Sequence, residues 1–142
     1  MNGADVNAQT DSGTTPLMFL VIMFSRVQDN TQIITQILEA FNESNIDLNI
    51  QDFHGGTALS WAASRPNESN ENVVSWLIQN NACVDLRSNR GKTVLHWAAL
   101  EGNGKITQML IDAGADVHAV SNYGVNALDS VVTRYWPKER YI

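Results

Sequence analysis

The sequence predicts an all-α solenoid, a stack of helix-turn-helix units joined by short β-hairpin loops. Three observations predict it. A G-x-[T/N]-x-L element occurs four times, at 13–17, 55–59, 91–95 and 124–128. A second element precedes each copy: GADVNAQ from residue 3, NIDLNIQ from 45, NACVDLR from 81 and GADVHAV from 114. Between the two elements lie apolar stretches at helical spacing. Each is too short to enclose its own apolar face, so a unit is stable only against its neighbours. The leading glycines, Gly13, Gly55, Gly91 and Gly124, stand 42, 36 and 33 residues apart.

Taken in order, residues 1–9 hold only the closing element and read as the end of a preceding unit. Residues 10–51 form a unit with insertions, whose second helix carries Ile33, Ile34, Ile37 and Leu38. About five extra residues enlarge its inter-helix loop at 25–32 and about four precede the next hairpin at 42–45. Residues 52–87 form the next unit, with Val73, Val74, Leu77 and Ile78 in its second helix. Three extra residues fall in RPNESNEN at 65–72, where Pro66 and the Asn, Ser and Glu content favour irregular backbone. These insertions read either as tolerated surface drift or as loops on a binding face.

The unit at 88–120 is the most regular. Thr93 can cap a helix start, after which Leu95, Ala98 and Ala99 share one face, the alanines being small enough for close helix approach. After Gly102-Asn103-Gly104 a second stretch sets Ile106, Met109 and Leu110 on one side with Ile111 beside them, and Gly114 can end it in the left-handed conformation. The outer-helix residues of successive units should meet in one apolar seam. Residues 121–142 form a C-terminal partial or capping unit that gives out at Tyr135-Trp136-Pro137. Either the polypeptide is part of a longer array, or Trp136 and Tyr141 fold back as a cap.

This pattern resembles the ankyrin repeat, whose unit of about 33 residues reads G-x-T-P-L-H-x-A-A, a turn, an apolar helix and G-A-D-V-N-A. The resemblance covers essentially the whole chain, closely at 91–120 and well at 55–87, while the first unit keeps its ends and has grown in its middle. It implies a single ankyrin-repeat domain over 1–142 that binds protein without catalysis. It also implies that His96 is a structural histidine bonding neighbouring loops, and that inner-helix positions Ser64, Arg65, Leu100 and Glu101 meet partners. As a second reading it makes the chain a substrate, with Asn49 as the acceptor of a 2-oxoglutarate-dependent asparaginyl hydroxylase and Asn7 and His118 at the same hairpin place. A third makes the chain an adaptor or targeting domain of a larger regulatory or pathogen effector protein.

Composition limits the remaining functions. A net charge of −6 and a pI near 4.8 leave too few Lys and Arg to neutralise phosphates, so no nucleic-acid partner is expected. The most apolar run, residues 16–24, is about half of the ~20 residues a membrane span needs. Cys83 is the single cysteine, so no internal disulfide forms, and a reducing compartment is expected, the cytoplasm or else the nucleus. The sequons at Asn42 and Asn67 would matter only in a secreted chain.

Chemistry is sparse. His54, His96 and His118 show no metal-ligand spacing with Cys83 or a carboxylate, and Cys83 reads as a small, partly buried filler in place of an Asp. Ser60, at the place of His96, sits in no nucleophile elbow, and the glycines form no phosphate-binding run. No enzyme, metal or cofactor is expected, and the chain should be a monomer.

What such a stack offers is a concave face of hairpin tips and inner helices. Register from each glycine places the tips at Asp11 and Ser12, Phe53 and His54, Asn89 and Arg90, and Asn122 and Tyr123, with Thr14, Gly56, Lys92 and Val125 just after. Arg65 and Glu101 complete the candidate partner-binding set. Aromatic and Arg residues at successive tips are types enriched in binding hot spots. Phe19, Trp61 and Trp97 share one inner-helix position and form either inter-unit packing or an aromatic floor for a peptide. Arg87, Arg90 and Lys92 cluster despite the acidic total, so a partner with acidic groups is expected there.

Overall fold

The computed structural model describes residues 4–26, 31–65 and 67–135. Its elements are α1 (Pro16–Phe24), α2 (Thr31–Asn42), α3 (Ala58–Ala63), α4 (Glu68–Gln79), α5 (Val94–Glu101), α6 (Gly104–Asp112) and α7 (Ala127–Tyr135), with no strand among the described residues. The helices begin where side-chain caps allow. Thr15 Oγ1 accepts from the Met18 N–H at 3.2 Å, Thr57 Oγ1 from Ser60 N–H at 3.2 Å, and Asn126 Oδ1 from Asp129 N–H at 2.8 Å. At α5 the His96 Nδ1 reaches back to accept from Thr93 N–H at 3.1 Å.

Two rows of helices result. Helices α1, α3, α5 and α7 pack successively on one another as the inner row, and α2, α4 and α6 do so as the outer row. Leu17, Met18, Val21, Leu59, Ala62, Leu95 and Ala98 are buried along the inner row, and Ile34, Leu38, Val73, Val74, Leu77, Ile106 and Leu110 along the outer. The seam is therefore continuous but narrower than the sequence suggests. Ile33 is 49% exposed and Ile111 40% exposed. Each is adjacent in sequence to a buried residue and so lies about 100° around the helix from it, off the stripe. Both Val73 and Val74 are buried because α4 touches α2, α6, α3 and α1 at once.

Some of the inserted residues extend the outer helices. Helices α2 and α4 are each 12 residues where α6 is 9. Irregular backbone is expected across 65–72, yet α4 begins at Glu68, because Asn67 Oδ1 accepts from Asn70 N–H at 2.8 Å and so starts the helix three residues early. Asn42 likewise belongs to α2 and not to a loop. Residues 27–30 of the first insertion lie outside the described residues, as do Trp136 and Tyr141 of the suggested cap.

Each hairpin loop is closed by two backbone bonds, such as Asp52 N–H to Gly56 O at 2.8 Å with Gly55 N–H to Asp52 O at 2.9 Å, and Ser88 N–H to Lys92 O at 2.9 Å with Gly91 N–H to Ser88 O at 2.8 Å. Their arms are too short for a ladder and pair sideways instead. Phe53 N–H donates to Ser12 O, Asn89 N–H to His54 O and Asn122 N–H to Arg90 O, at 3.1, 3.0 and 3.0 Å. Side chains repeat the link. Gln9 Nε2 donates to Gln51 O at 3.1 Å, Gln51 Nε2 to Arg87 O at 2.8 Å, and Arg87 Nη1 to Val120 O at 2.6 Å. Gly55, at φ +79°, sits where a Cβ would fall 2.7 Å from Ser88 Cα of the next loop.

Candidate functional site

The hairpin tips stand in one line on the side of the inner row. Asp11, Ser12, Phe53, His54, Asn89, Arg90, Asn122 and Tyr123 are all exposed. Phe53 and Tyr123 are 65% and 72% exposed, so neither ring contributes appreciably to the core. The two asparagines differ from their neighbours: Asn89 Nδ2 donates to Phe53 O at 2.6 Å and Asn122 Nδ2 to Asn89 O at 3.0 Å. Their amides bind loop to loop. Asp11, Phe53, His54, Arg90 and Tyr123 therefore form the outward chemistry of the tips.

Behind the tips, Trp61 and Trp97 line one cavity of about 300 Å³ together with Asp52, Gly56, Ser60 and Ser64. Both indoles are half-buried. Asp52 is buried and fully engaged: Oδ1 accepts from His54 N–H at 2.9 Å and Gly56 N–H at 2.8 Å, and Oδ2 from Trp61 Nε1–H at 2.9 Å. It locks the indole to the hairpin. The Arg65 guanidinium lies over the Trp61 ring at 5.5 Å and the Lys92 ammonium over Trp97 at 4.7 Å. Phe19, at the equivalent position, lines a different groove near Thr14 and Pro16 and is 58% exposed. The structure thus brings Trp61 and Trp97 together and leaves Phe19 apart.

Lys92 also borders a second hollow of about 270 Å³ with Arg90, Leu100, Tyr123 and Ser130. Lys92 is half-buried and stands between the two hollows. Arg87, grouped with these cations by sequence, is spent otherwise. Its guanidinium bridges Gly91 O and Val120 O at 3.2 and 2.6 Å, taking the part that Gln9 and Gln51 take in the loops before it. Ser64, Arg65, Leu100 and Glu101 are half-buried on the inner row.

Asn49 is exposed, but its Oδ1 accepts from Cys83 N–H at 2.8 Å, as Asn7 Oδ1 accepts from Asp47 N–H and Asp85 Oδ1 from Asp116 N–H. These side chains tie successive loops. Cys83 itself is exposed, contrary to the filler expectation, because its neighbour Ala82 takes the buried place. His96 is 2% exposed, with Nδ1 accepting from Thr93 N–H, so the proton rests on Nε2, which donates to Val125 O at 2.8 Å in the next loop. The expected loop-bonding histidine is present. Among the described residues no three His, Cys, Asp or Glu side chains converge as metal ligands, and no helix is long and apolar enough to cross a membrane.

Sequence reasoning missed Asp52. The signal was available: positions 10, 52, 88 and 121 are all polar turn residues, Thr10, Asp52, Ser88 and Ser121, and Asp52 alone has a second oxygen to offer an indole.

A family model described as ankyrin repeats, in three copies, matches residues 23–121. The chain is 34% identical over 114 residues to neurogenic locus notch homolog protein 2 of Homo sapiens, which covers 80% of this chain and 4% of that protein. It is 30% identical over 125 residues to palmitoyltransferase AKR1 of Lachancea kluyveri, covering 88% of this chain and 16% of that one. Against palmitoyltransferase ZDHHC17 of Homo sapiens it is 39% identical over 74 residues, 51% of this chain and 11% of that protein. The chain thus spans a small part of the length of the curated relatives it matches.

Proposed function

Because this chain belongs to the ankyrin-repeat family, whose repeats generally mediate protein-protein interaction, we propose that it is a non-catalytic module holding a protein or peptide partner on the face of its hairpin tips and inner helices. One observation carries the reading: Phe53 and Tyr123 stand exposed on the same line of tips as Arg90, Phe53 resting one edge on the Gly13 turn with most of both rings left to solvent. The loops beneath are tied to one another, so the tips form a rigid surface that loses little freedom on binding. Arg90 and Lys92 favour a partner with acidic groups. We place the module, as a monomer, in the cytoplasm or nucleus, acting alone or as the adaptor region of a longer protein, as the small matched share of its relatives suggests.

The test is a paired capture. Phe53→Ala combined with Arg90→Glu should weaken the complex with a protein co-purifying with the wild type by at least ~2 kcal/mol, about 30-fold. The melting temperature should stay nearly fixed, since both side chains are exposed. Equal retention by wild type and double variant would move the partner to another face.

A further inference from the structure

We propose that the cavity between Trp61 and Trp97 takes one apolar side chain of an extended peptide, and that Lys92 and Arg90 receive a carboxylate carried a few residues away on the same peptide. This deepens the proposed function and rests on its choice of face. At about 300 Å³ the cavity stands at the lower limit of small-molecule sites and suits a single side chain.

Of the polar side chains in its wall, Asp52, Ser60, Ser64 and Ser88 are engaged from within, and His54 stands exposed at the tip. Asp52 accepts three hydrogen bonds, one of them from Trp61 Nε1–H. Ser60 Oγ donates to Thr57 O at 2.9 Å and accepts from Thr57 N–H at 2.8 Å, while Ser64 Oγ donates to Trp61 O at 3.0 Å. With these groups engaged, a polar guest would surrender its water without recompense, so the cavity selects an apolar one.

Charge supplies the second half. Arg65 and Lys92 each lie over one of the two indoles, and among the described residues neither they nor Arg90 has a carboxylate at ion-pair distance. A cationic guest would meet the like charges already lying over those rings. An acidic guest gains, but not inside the first cavity, where Asp52 would repel it. The next place along the face is the hollow bordered by Arg90, Lys92 and Tyr123. Lys92, over Trp97 and facing that hollow, joins the two sites. The order is therefore fixed: apolar anchor between the tryptophans, carboxylate toward Tyr123.

The probe is a set of short fluorescein-labelled peptides in a Gly-Ser background, each with one Leu, Phe or Trp and one Glu at varied separation, read by fluorescence polarisation on the full chain. Some members should bind at least ~10-fold more tightly than their Glu→Lys counterparts, with the difference shrinking in high salt. Ser64→Leu, which fills the cavity from its rim, and Lys92→Glu should each weaken those members by ~10-fold or more. Both changes are made at partly exposed positions, and an unchanged circular dichroism spectrum and melt certify the fold. The proposal is overturned if no member binds, if Lys-bearing peptides bind as well, or if Ser64→Leu has no effect. A natural partner lost from the Phe53 and Arg90 double variant but retained by Ser64→Leu would leave the face standing and remove this cavity from it.

Discussion

At the scale of single residues, identity alone does not tell what a side chain does here; the next loop does. Gly91 and Gly124 adopt nearly the same left-handed backbone, φ +75° and +71°. A Cβ on Gly91 would fall 2.8 Å from Asn122 N, whereas at Gly124 nothing lies within 4 Å among the described residues. Gly124→Ala should therefore cost only its backbone strain, about 1 kcal/mol, and Gly91→Ala at least ~1 kcal/mol more, because the stacked hairpin must shift as well. Urea denaturation of the two variants checks this, and equal losses would mean that the loops are not in contact. Arg87 makes the same point: its charge was legible in the sequence, but its guanidinium is committed to two backbone carbonyls. Asp52 was hidden for the converse reason, since only the turn brings its second oxygen to an indole nine residues on.

At the scale of elements, the helices were legible where periodicity and caps agreed, as at α5 and α6, and misjudged where composition spoke against them. The Asn- and Ser-rich stretch before α4 reads as loop, yet Asn67 is a good cap and the helix simply starts earlier. Helix α4 is the central element, packed against both outer neighbours and the inner row, and Leu77 is fully buried in it. Leu77→Ala should lower stability by ~2–5 kcal/mol, since the cavity left behind is enclosed on every side and cannot collapse freely. Thermal and denaturant unfolding read this directly; a loss below ~1 kcal/mol would contradict the continuous seam. Ile33→Ala, at a half-exposed position, serves as the mild control.

At the scale of the whole molecule, the repeat made the architecture legible: four in-register glycines and four closing elements announce stacked units that share one core. What stayed illegible is what stacking itself creates. The Trp61–Trp97 cavity belongs to no single unit, and Phe19, identical in register, falls outside it, so register alone could not predict a shared floor. On the proposed function the partner meets the tips and inner helices while the outer row holds the stack together. Hydrogen exchange of the chain with and without its captured partner tests that most directly. Added protection should concentrate at residues 51–65 and 87–101, with α2 and α6 unchanged; protection confined to the outer helices, with the tips exchanging as before, would contradict it.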